Sequence, residues 1–314
     1  MQREPVIWSE SYPMTMELRI ENLSKQYPNG TKALQSVSLS IPLGMFGLLG
    51  PNGAGKSTLM RTLATLQEAD SGHATLGDID VLHQKDAVRR VLGYLPQEFG
   101  LYPKVSAEDL LTQFATLKGI TNTKERRAVV QALLQQTNLY EHRRKALGGF
   151  SGGMKQRFGI AQALLGNPRL IIVDEPTAGL DPEERVRFHN LLSAIGQNII
   201  VILSTHIVSD VSDLCRAMAI IHEGRVLVTG NPTQLVAELA GRVWTKSIAH
   251  SELASYRERF QVISMRLFAG QTLVHVLSEQ QPEAGFEPAS PDLEDLYFAT
   301  IRGFIHRPAA GAVN

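Results

Sequence analysis

Residues 50–57 form a glycine-rich segment whose residue types and spacing suit phosphate chemistry. The segment fits the pattern G-x-x-x-x-G-K-[ST], in which glycines let the backbone approach phosphate groups with its N–H groups pointing inward. Lys56 can reach the β- and γ-phosphates of a nucleotide, and the Ser57 hydroxyl can coordinate Mg²⁺. The residues that we predict to hold nucleotide here are Gly50, Pro51, Asn52, Gly53, Ala54, Gly55, Lys56, Ser57 and Thr58.

Two acids, Asp174 and Glu175, directly follow the apolar stretch 170–173. An apolar strand that ends in two carboxylates can place them beside a phosphate site. Asp174 suits Mg²⁺ coordination through water. Glu175 suits the polarisation of an attacking water. The alternative is a strand that ends in two solvated acids, which the upstream glycine-rich loop disfavours.

Ser151, Gly152 and Gly153 precede an amphipathic helix and offer a second phosphate cradle. A hydroxyl, two backbone amides and the positive end of a helix dipole would converge at this point. One chain does not need two cradles for one γ-phosphate. We therefore predict that these three residues contact a nucleotide held by another subunit, the alternative being an ordinary flexible turn.

Taken in order, the glycine-rich loop, the Ser-Gly-Gly segment and the acid-tipped strand followed by 176–181 resemble the ABC ATPase family over roughly residues 16–235. The resemblance implies that Tyr27 stacks on adenine, that Gln97 contacts Mg²⁺ and links to a transmembrane partner, and that Asp181 lies in a loop at a dimer interface. It also implies that His206 is a switch histidine near the γ-phosphate. The alternatives are a core or turn tyrosine at Tyr27 and a structural histidine at His206.

By the same resemblance, the catalytic set is Glu175, His206, Lys56 and Gln97, and the Mg²⁺ ligands are Ser57, Gln97 and Asp174. The cofactors implied are ATP and Mg²⁺. Two positions depart from the family pattern, because Phe150 stands where Leu is usual and Met154 where Gln is usual. The three residues of the cradle between them are intact, so we expect its chemistry to survive.

The elements that must position these residues follow from hydrophobic periodicity. Apolar stretches at 45–49, 170–173 and 199–203 read as short buried strands of the kind found in parallel sheets. Residues 56–66 are predicted to be a helix directly after the phosphate-binding loop, which gives the strand, turn and helix of an α/β unit. Residues 106–149 change to helical spacing, with Ser106 as a helix N-cap.

The fold class implied is α/β, a P-loop NTPase of the ABC cassette type with a mixed sheet core, an antiparallel β part and a helical subdomain, plus a small C-terminal α+β domain. We expect residues 1–15 to be a loose leader and 16–240 to be the ATPase domain, with the helical subdomain at about 98–165. Residues 241–302 would form the C-terminal accessory domain and 303–314 a tail. By resemblance, Phe99, Leu101 and Tyr102 help form a groove for the permease, with ordinary core packing as the alternative.

Composition limits the possible partners and the compartment. The 314 residues carry 31 Lys and Arg against 31 Asp and Glu, and this zero balance argues against a surface built to bind nucleic acid. Cys215 is the single cysteine, so an intramolecular disulfide is impossible. The sequence lacks an apolar run of roughly 18 residues and its first residues lack an apolar signal core, so we expect membrane contact only through a permease.

The sequence therefore predicts an ATP-hydrolysing subunit that closes as a dimer, expected to be a homodimer, and drives a separate transmembrane permease at the cytoplasmic face of the inner membrane. Residues 289–297 resemble the C-terminal Pro-x-Leu-Glu-Asp motif of daunorubicin-resistance-type exporter ATPases, which favours export. The first alternative is an importer ATPase. The second is a soluble ABC ATPase that acts in assembly or regulation without a permease.

Overall fold

The computed structural model of this protein describes residues 16–97, 100, 102–268 and 270–305. The predicted leader, Phe99, Leu101 and residues 306–314 of the predicted tail lie outside the described residues. The strands are β1 (Glu17–Gln26), β2 (Lys32–Pro42), β3 (Gly44–Leu49), β4 (Ser71–Leu76), β5 (Ile79–Asp80), β6 (Leu92–Leu95), β7 (Leu170–Asp174), β8 (Ile200–Thr205), β9 (Ala217–His222), β10 (Arg225–Gly230), β11 (Val243–Ile248), β12 (Gln261–Phe268), β13 (Gln271–Leu277) and β14 (Glu287–Pro288).

The helices are α1 (Lys56–Leu63), α2 (Lys85–Val91), α3 (Ala107–Leu117), α4 (Thr123–Gln136), α5 (Gly152–Ala163), α6 (Pro182–Ile195), α7 (Val208–Leu214), α8 (Pro232–Ala237), α9 (Leu253–Arg259) and α10 (Leu293–Ile301). Among these described helices, none is long and apolar enough to cross a bilayer.

The central sheet has the strand order β10-β9-β3-β8-β7-β6, and all of its neighbouring pairs are parallel except the β9–β10 hairpin. Strands β7 and β8 are buried along their whole length, which fits the apolar runs at 170–173 and 200–203. Because the carboxyl ends of parallel strands lie at one edge of a sheet, the loops after β3, β6, β7 and β8 meet there. The predicted site residues near positions 50–58, 97, 174–175 and 206 follow these four strands.

An antiparallel sheet of order β2-β1-β4-β5 packs beside the central sheet. Buried apolar residues of the two sheets belong to one hydrophobic cluster. Strand β1 alternates buried Leu18 and Ile20 with exposed Arg19 and Glu21, as a strand with one buried face should. A register shift follows Ile20, and it returns Leu23 to the buried face.

Helices α3, α4 and α5 form the helical part of the chain, and side-chain caps begin each of them. Ser106 accepts from Asp109 N at 3.1 Å, Asn122 from Lys124 N at 2.9 Å, and Ser151 from Met154 N at 3.2 Å. Capping satisfies backbone N–H groups that have no partner inside the helix. The N-cap predicted at Ser106 is confirmed.

A third sheet, of order β12-β13-β11-β14 and entirely antiparallel, lies between residues 243 and 288. The final helix α10 follows it and turns back onto the central sheet. Its buried residues Leu293, Leu296 and Ala299 share one hydrophobic cluster with Met218 and Ile220 of β9. Helix α10 therefore packs the C-terminal part of the chain onto the hydrophobic core at the central sheet.

Helix α10 begins with a reciprocal cap. Asp292 is its N-cap. The Asp292 carboxylate accepts from Asp295 N at 2.9 Å, and the Asp295 carboxylate accepts from Asp292 N at 3.3 Å. This reciprocal arrangement satisfies two backbone donors at once.

We predict that His275 makes the stability of this region depend on pH. Its Nδ1 lies 2.9 Å from Asp295 Oδ1, and this hydrogen bond raises the pKa of His275. The charge of Asp292 also raises this pKa, whereas burial and the charge of Arg266 lower it by less. A raised pKa in the folded state adds stability that is complete below the unfolded value of about 6.5 and is lost as pH rises through the folded value. The gap in melting temperature between wild type and His275→Gln should therefore be larger at about pH 6 than at about pH 9. An equal gap at both pH values would contradict this prediction.

Candidate nucleotide-binding site

The loop between β3 and α1 is shaped by two glycines that no other residue could replace without a clash. A Cβ at Gly50 would lie 2.3 Å from the carbonyl oxygen of Ile221, and one at Gly55 would lie 2.4 Å from that of Ala33. Gly55 also has a φ of +105°, in the left-handed region that favours glycine. It is the N-cap of α1 and provides no side-chain cap, so the positive end of this helix faces the loop.

A cavity of about 640 Å³ opens beside this loop. It brings together many of the residues predicted from sequence: Tyr27, Pro51, Asn52, Gly53, Ala54, Gly55, Lys56, Ser57, Thr58, Gln97, Glu175 and His206. Gly50 begins the same loop, and Asp174 immediately precedes Glu175. The position of the cavity, between a helix N-terminus and the carboxyl edge of a parallel sheet, is the usual one for phosphate ligands in α/β folds.

Five residues of the cavity wall were not predicted from sequence: Thr31, Lys32, Ala33, Gln35 and Glu223. They come from β2 with its preceding turn and from the β9–β10 turn. These two segments meet because Gln35 Nε2 donates to the Glu223 carbonyl at 2.7 Å. No local pattern marks a contact between residues so far apart in sequence. The hairpin turn at 223–224 was the one available signal.

Lys56 is buried and its ammonium group is held by the loop that precedes it. Its Nζ donates to the carbonyl oxygens of Gly50 at 2.6 Å and Pro51 at 3.2 Å, and lies 3.6 Å from Glu175 Oε1. Burial lowers the pKa of Lys56, and the charges of Glu175 and Asp174 oppose that effect. A cation fixed in this way can bind anionic phosphate without first being ordered.

Glu175 and His206 form a hydrogen-bonded pair in the cavity. The imidazole Nδ1 lies 2.7 Å from Glu175 Oε2, so Nδ1–H donates to the carboxylate. Glu175 is 7% exposed and has a φ of +49°, which is uncommon for a residue with a side chain. Its backbone N–H donates to the Ser204 carbonyl at 2.8 Å, which joins the end of β7 to β8. A carboxylate held between an imidazole and an ammonium group can orient and polarise a water molecule.

The donor set near Asp174 fits Mg²⁺. Asp174 is 4% exposed, and its Oδ1 has no hydrogen-bond partner among the described residues. Buried carboxylate oxygens are rarely left unpaired, and a hard cation with oxygen ligands would satisfy this one. Ser57 and Gln97 line the neighbouring cavity. Over the described residues, no cluster of three or more His, Cys, Asp or Glu could hold a metal ion, and Mg²⁺ normally uses one or two carboxylates together with substrate phosphates.

Tyr27 forms part of the cavity wall and is tied to the first turn of α1. Its hydroxyl shares a 3.1 Å hydrogen bond with Thr58 Oγ1 and donates to Gln67 Oε1 at 3.2 Å. These contacts fix the ring beside the phosphate-binding loop. Stacking of the ring on adenine remains a prediction.

The Ser-Gly-Gly segment and Asp181 do not line this cavity. Ser151 and Gly152 are exposed at the start of α5, and a Cβ at Gly152 would meet no atom within 4 Å. Gly153 is buried, and a Cβ there would lie 2.1 Å from Glu184 Oε2. Asp181 caps α6 by accepting from Glu184 N at 2.8 Å. An exposed helix start away from the chain's own cavity suits the predicted contact with a nucleotide on a second subunit.

Comparison with known proteins gave consistent matches. A sequence profile for the family described as "ABC transporter" matches residues 34–178. The probable multidrug ABC transporter ATP-binding protein YbhF of Escherichia coli is 31% identical over 303 residues, which cover 91% of this chain but 52% of the relative. The chain thus spans about half the length of that relative. Nod factor export ATP-binding protein I of Rhizobium etli is 32% identical over 288 residues, covering 88% of this chain and 90% of the relative.

Among solved structures, the dimeric ATP-binding cassette MJ0796, in a post-hydrolysis state bound to ADP and Pi, matches with a TM-score of 0.62. It is 25% identical and covers 68% of this chain and 98% of its own. The central sheet, the antiparallel sheet and the helical part of the present chain are therefore arranged as in an ATP-binding cassette.

We predict that Glu175→Gln abolishes ATP turnover but leaves ATP binding intact. The amide keeps the shape of the side chain and loses the negative charge, so kcat should fall by roughly 10²- to 10⁴-fold, the usual contribution of a general base. Phosphate release and equilibrium ATP binding measure the two effects separately. Glu68→Gln is the matched control, because Glu68 lies outside the cavity in an exposed pair with Lys85. Normal turnover in Glu175→Gln would show that another group activates water.

We predict that Lys56→Ala weakens ATP binding itself. The variant removes a fixed cation from the phosphate site, and hydrogen bonds to charged groups contribute about 1.5–3 kcal/mol, so the Kd for ATP should rise roughly 10- to 100-fold. Isothermal titration gives the Kd, with Lys85→Ala as the control lysine outside the cavity. An unchanged Kd would mean that Lys56 does not contact the phosphates.

Proposed function

The chain belongs to the family of ABC transporter ATP-binding proteins and carries its ATPase cassette, and from that premise we propose that it powers a separate transmembrane permease as part of an exporter. Two copies of the chain close head to tail with ATP between them, and the permease receives the movement. The observation that carries the hydrolysis step is the contact of the buried Glu175 carboxylate with Lys56 and His206 beside the phosphate-binding loop.

The cavity residues divide the work of hydrolysis. The loop at 50–58 and the N-terminus of α1 bind the phosphates, and Lys56 stabilises the charge that develops on the γ-phosphate. Glu175 accepts a proton from the attacking water or orients it, and His206 holds the Glu175 carboxylate in place through Nδ1. The Tyr27 ring packs against the base. Ser57, Gln97 and Asp174 would hold Mg²⁺, which neutralises charge on the phosphate oxygens when it is bound.

The exposed start of α5 completes the site of a partner copy. Ser151 and Gly152 are exposed and do not line the chain's own cavity, and the helix end at this point attracts anions. In a head-to-tail dimer each chain contributes one phosphate-binding loop and one Ser-Gly-Gly segment to each nucleotide. Asp181 then lies in the loop between the two sites. Hydrolysis requires both copies in this arrangement.

The docking surface for the permease is an apolar groove of about 490 Å³ between the core and the helical part. It is lined mainly by the ends of α1 and α3 and by β6 and α5. Leu66 is 62% exposed and Leu117 is 82% exposed, and both line this groove, so its apolar surface is open to a partner. Tyr102 is also exposed but does not line the groove. The occupant that we propose is a short amphipathic helix of the permease, whose apolar side would cover both leucines.

Export is favoured over import by the relatives' descriptions and by residues 289–297. One relative is described as a probable multidrug transporter subunit and another as a Nod factor export subunit. A permease partner places the chain at the cytoplasmic face of the cell membrane. An importer subunit is the first alternative, and a soluble ATPase without a permease is the second.

We predict that the Glu175→Gln chain, purified in detergent with ATP, brings a multi-helix membrane protein with it. Blocked turnover keeps the closed dimer bound to its permease, and mass spectrometry identifies what is retained. A preparation without ATP is the control. Recovery of soluble partners alone, under conditions that preserve membrane complexes, would favour the second alternative.

The groove can be tested in the same preparation. Leu117→Asp places a charge on the apolar surface and should reduce recovery of the membrane protein, on the order of tenfold, because burying an unpaired charge is costly. Val186→Asp is the matched control, since Val186 is 59% exposed on α6 and lies outside the groove. Equal recovery with both variants would place the docking surface elsewhere.

A further inference from the structure

Asp210 is a fully buried carboxylate in the first turn of α7, and neither its burial nor its role was predicted from sequence. Its Oδ1 accepts from Arg185 Nε at 2.9 Å, Arg185 Nη2 at 2.6 Å and His189 Nε2 at 2.9 Å. Its Oδ2 accepts from Thr177 Oγ1 at 2.5 Å. A buried charge is stable only when paired and hydrogen-bonded in this way, so the network is a built feature of the fold.

The three partners of Asp210 come from two different segments. Arg185 and His189 lie one turn apart on α6, so their side chains share a face of that helix. Thr177 lies in the loop after β7, two residues beyond Glu175. Asp210 itself follows His206 by four residues. The carboxylate therefore connects three segments. They are the loop that carries Glu175, helix α6 that follows this loop, and the loop that carries His206.

The loop after β7 needs such a connection. Glu175 has a left-handed backbone, and residues with side chains keep that conformation only when the surrounding structure imposes it. One constraint is the bond from Glu175 N to the Ser204 carbonyl. The Thr177 bond to Asp210 is the second, and it lies on the other side of the strained residue. Without it the carboxyl-terminal half of the loop would be held by main-chain bonds within the loop, from Ala178 N to Glu175 O at 3.4 Å and from Leu180 N to Thr177 O at 3.2 Å.

We propose that Asp210 is a positioning residue for ATP hydrolysis: by holding Thr177 it fixes the loop that carries Glu175 against the loop that carries His206. The inference rests on the proposed function, since it assumes that Glu175 and His206 act on the attacking water. Asp210 does not touch the nucleotide site. It acts through the hydrogen bond to Thr177, and the 2.7 Å contact between Glu175 and His206 depends on the alignment that results.

Thr177→Val tests the proposal with little change in volume. It removes the hydroxyl that joins the loop to Asp210, while Arg185 and His189 continue to neutralise the carboxylate. Because small displacements of catalytic groups cost up to about 10²-fold in rate, kcat should fall by roughly 10- to 100-fold. The Kd and KM for ATP should stay within about twofold, since the phosphate-binding loop is untouched and enzymes lose kcat alone when only transition-state contacts are lost.

Three companion variants of the full chain make the result decisive. Thr177→Ser keeps a hydroxyl, so its kcat should stay near the wild-type value, unlike that of Thr177→Val. Ser209→Ala removes a different hydroxyl of the same network, the one that accepts from Arg185 Nη2 at 2.7 Å, and should leave kcat unchanged. Asp210→Glu keeps the charge but lengthens the connection by one methylene, so it should lower kcat with the Kd for ATP preserved.

The outcomes separate this inference from the proposed function when Glu175→Gln is assayed beside them. A dead Glu175→Gln with wild-type kcat in both Thr177→Val and Asp210→Glu overturns the role of Asp210 alone. An active Glu175→Gln overturns the catalytic assignment from which the inference starts. Loss of ATP binding in both Thr177→Val and Asp210→Glu also overturns the inference, because the network would then maintain the fold rather than the alignment of the catalytic pair.

Discussion

Parallel pairing of β3, β6, β7 and β8 is the constraint on which the rest of this structure depends. Backbone hydrogen bonds hold these strands in one direction, so every loop at their carboxyl ends opens at the same edge of the sheet. The loop at 50–58, Gln97, Glu175 and His206 each follow one of the four strands. They are up to about 150 residues apart in the chain, and only this shared direction brings them to one cavity.

The charges of the site are tolerated because each is held by several neighbours. Burial of an isolated ammonium or carboxylate costs several kcal/mol even after relaxation. Lys56 offsets that cost with two main-chain carbonyls and Glu175, and Glu175 does so with Lys56 and His206. Asp174 keeps one oxygen unpaired. That unpaired oxygen suits a hard cation that also binds phosphate oxygens.

Sequence reasoning found the residues whose chemistry is local and missed those whose role arises from folding. The phosphate-binding loop, the acids at the end of β7 and the Ser106 cap could be predicted because a short spacing specifies each of them. The wall residues Gln35 and Glu223 could not, since their contact joins a strand to a hairpin far along the chain. The network around Asp210 could not be predicted either, because its donor residues Thr177, Arg185 and His189 lie 33, 25 and 21 residues away in the chain.

The packing of α10 has a consequence for how the chain is made. Leu293, Leu296 and Ala299 seal the same hydrophobic cluster that Met218 and Ile220 of β9 help to form. Synthesis on the ribosome proceeds from the N-terminus, so the central sheet emerges well before the helix that covers it. Until residue 301 has left the exit tunnel, this apolar surface stays uncovered. A chain that ends before α10 would leave the β9 side of this cluster less covered and would therefore be more prone to aggregation.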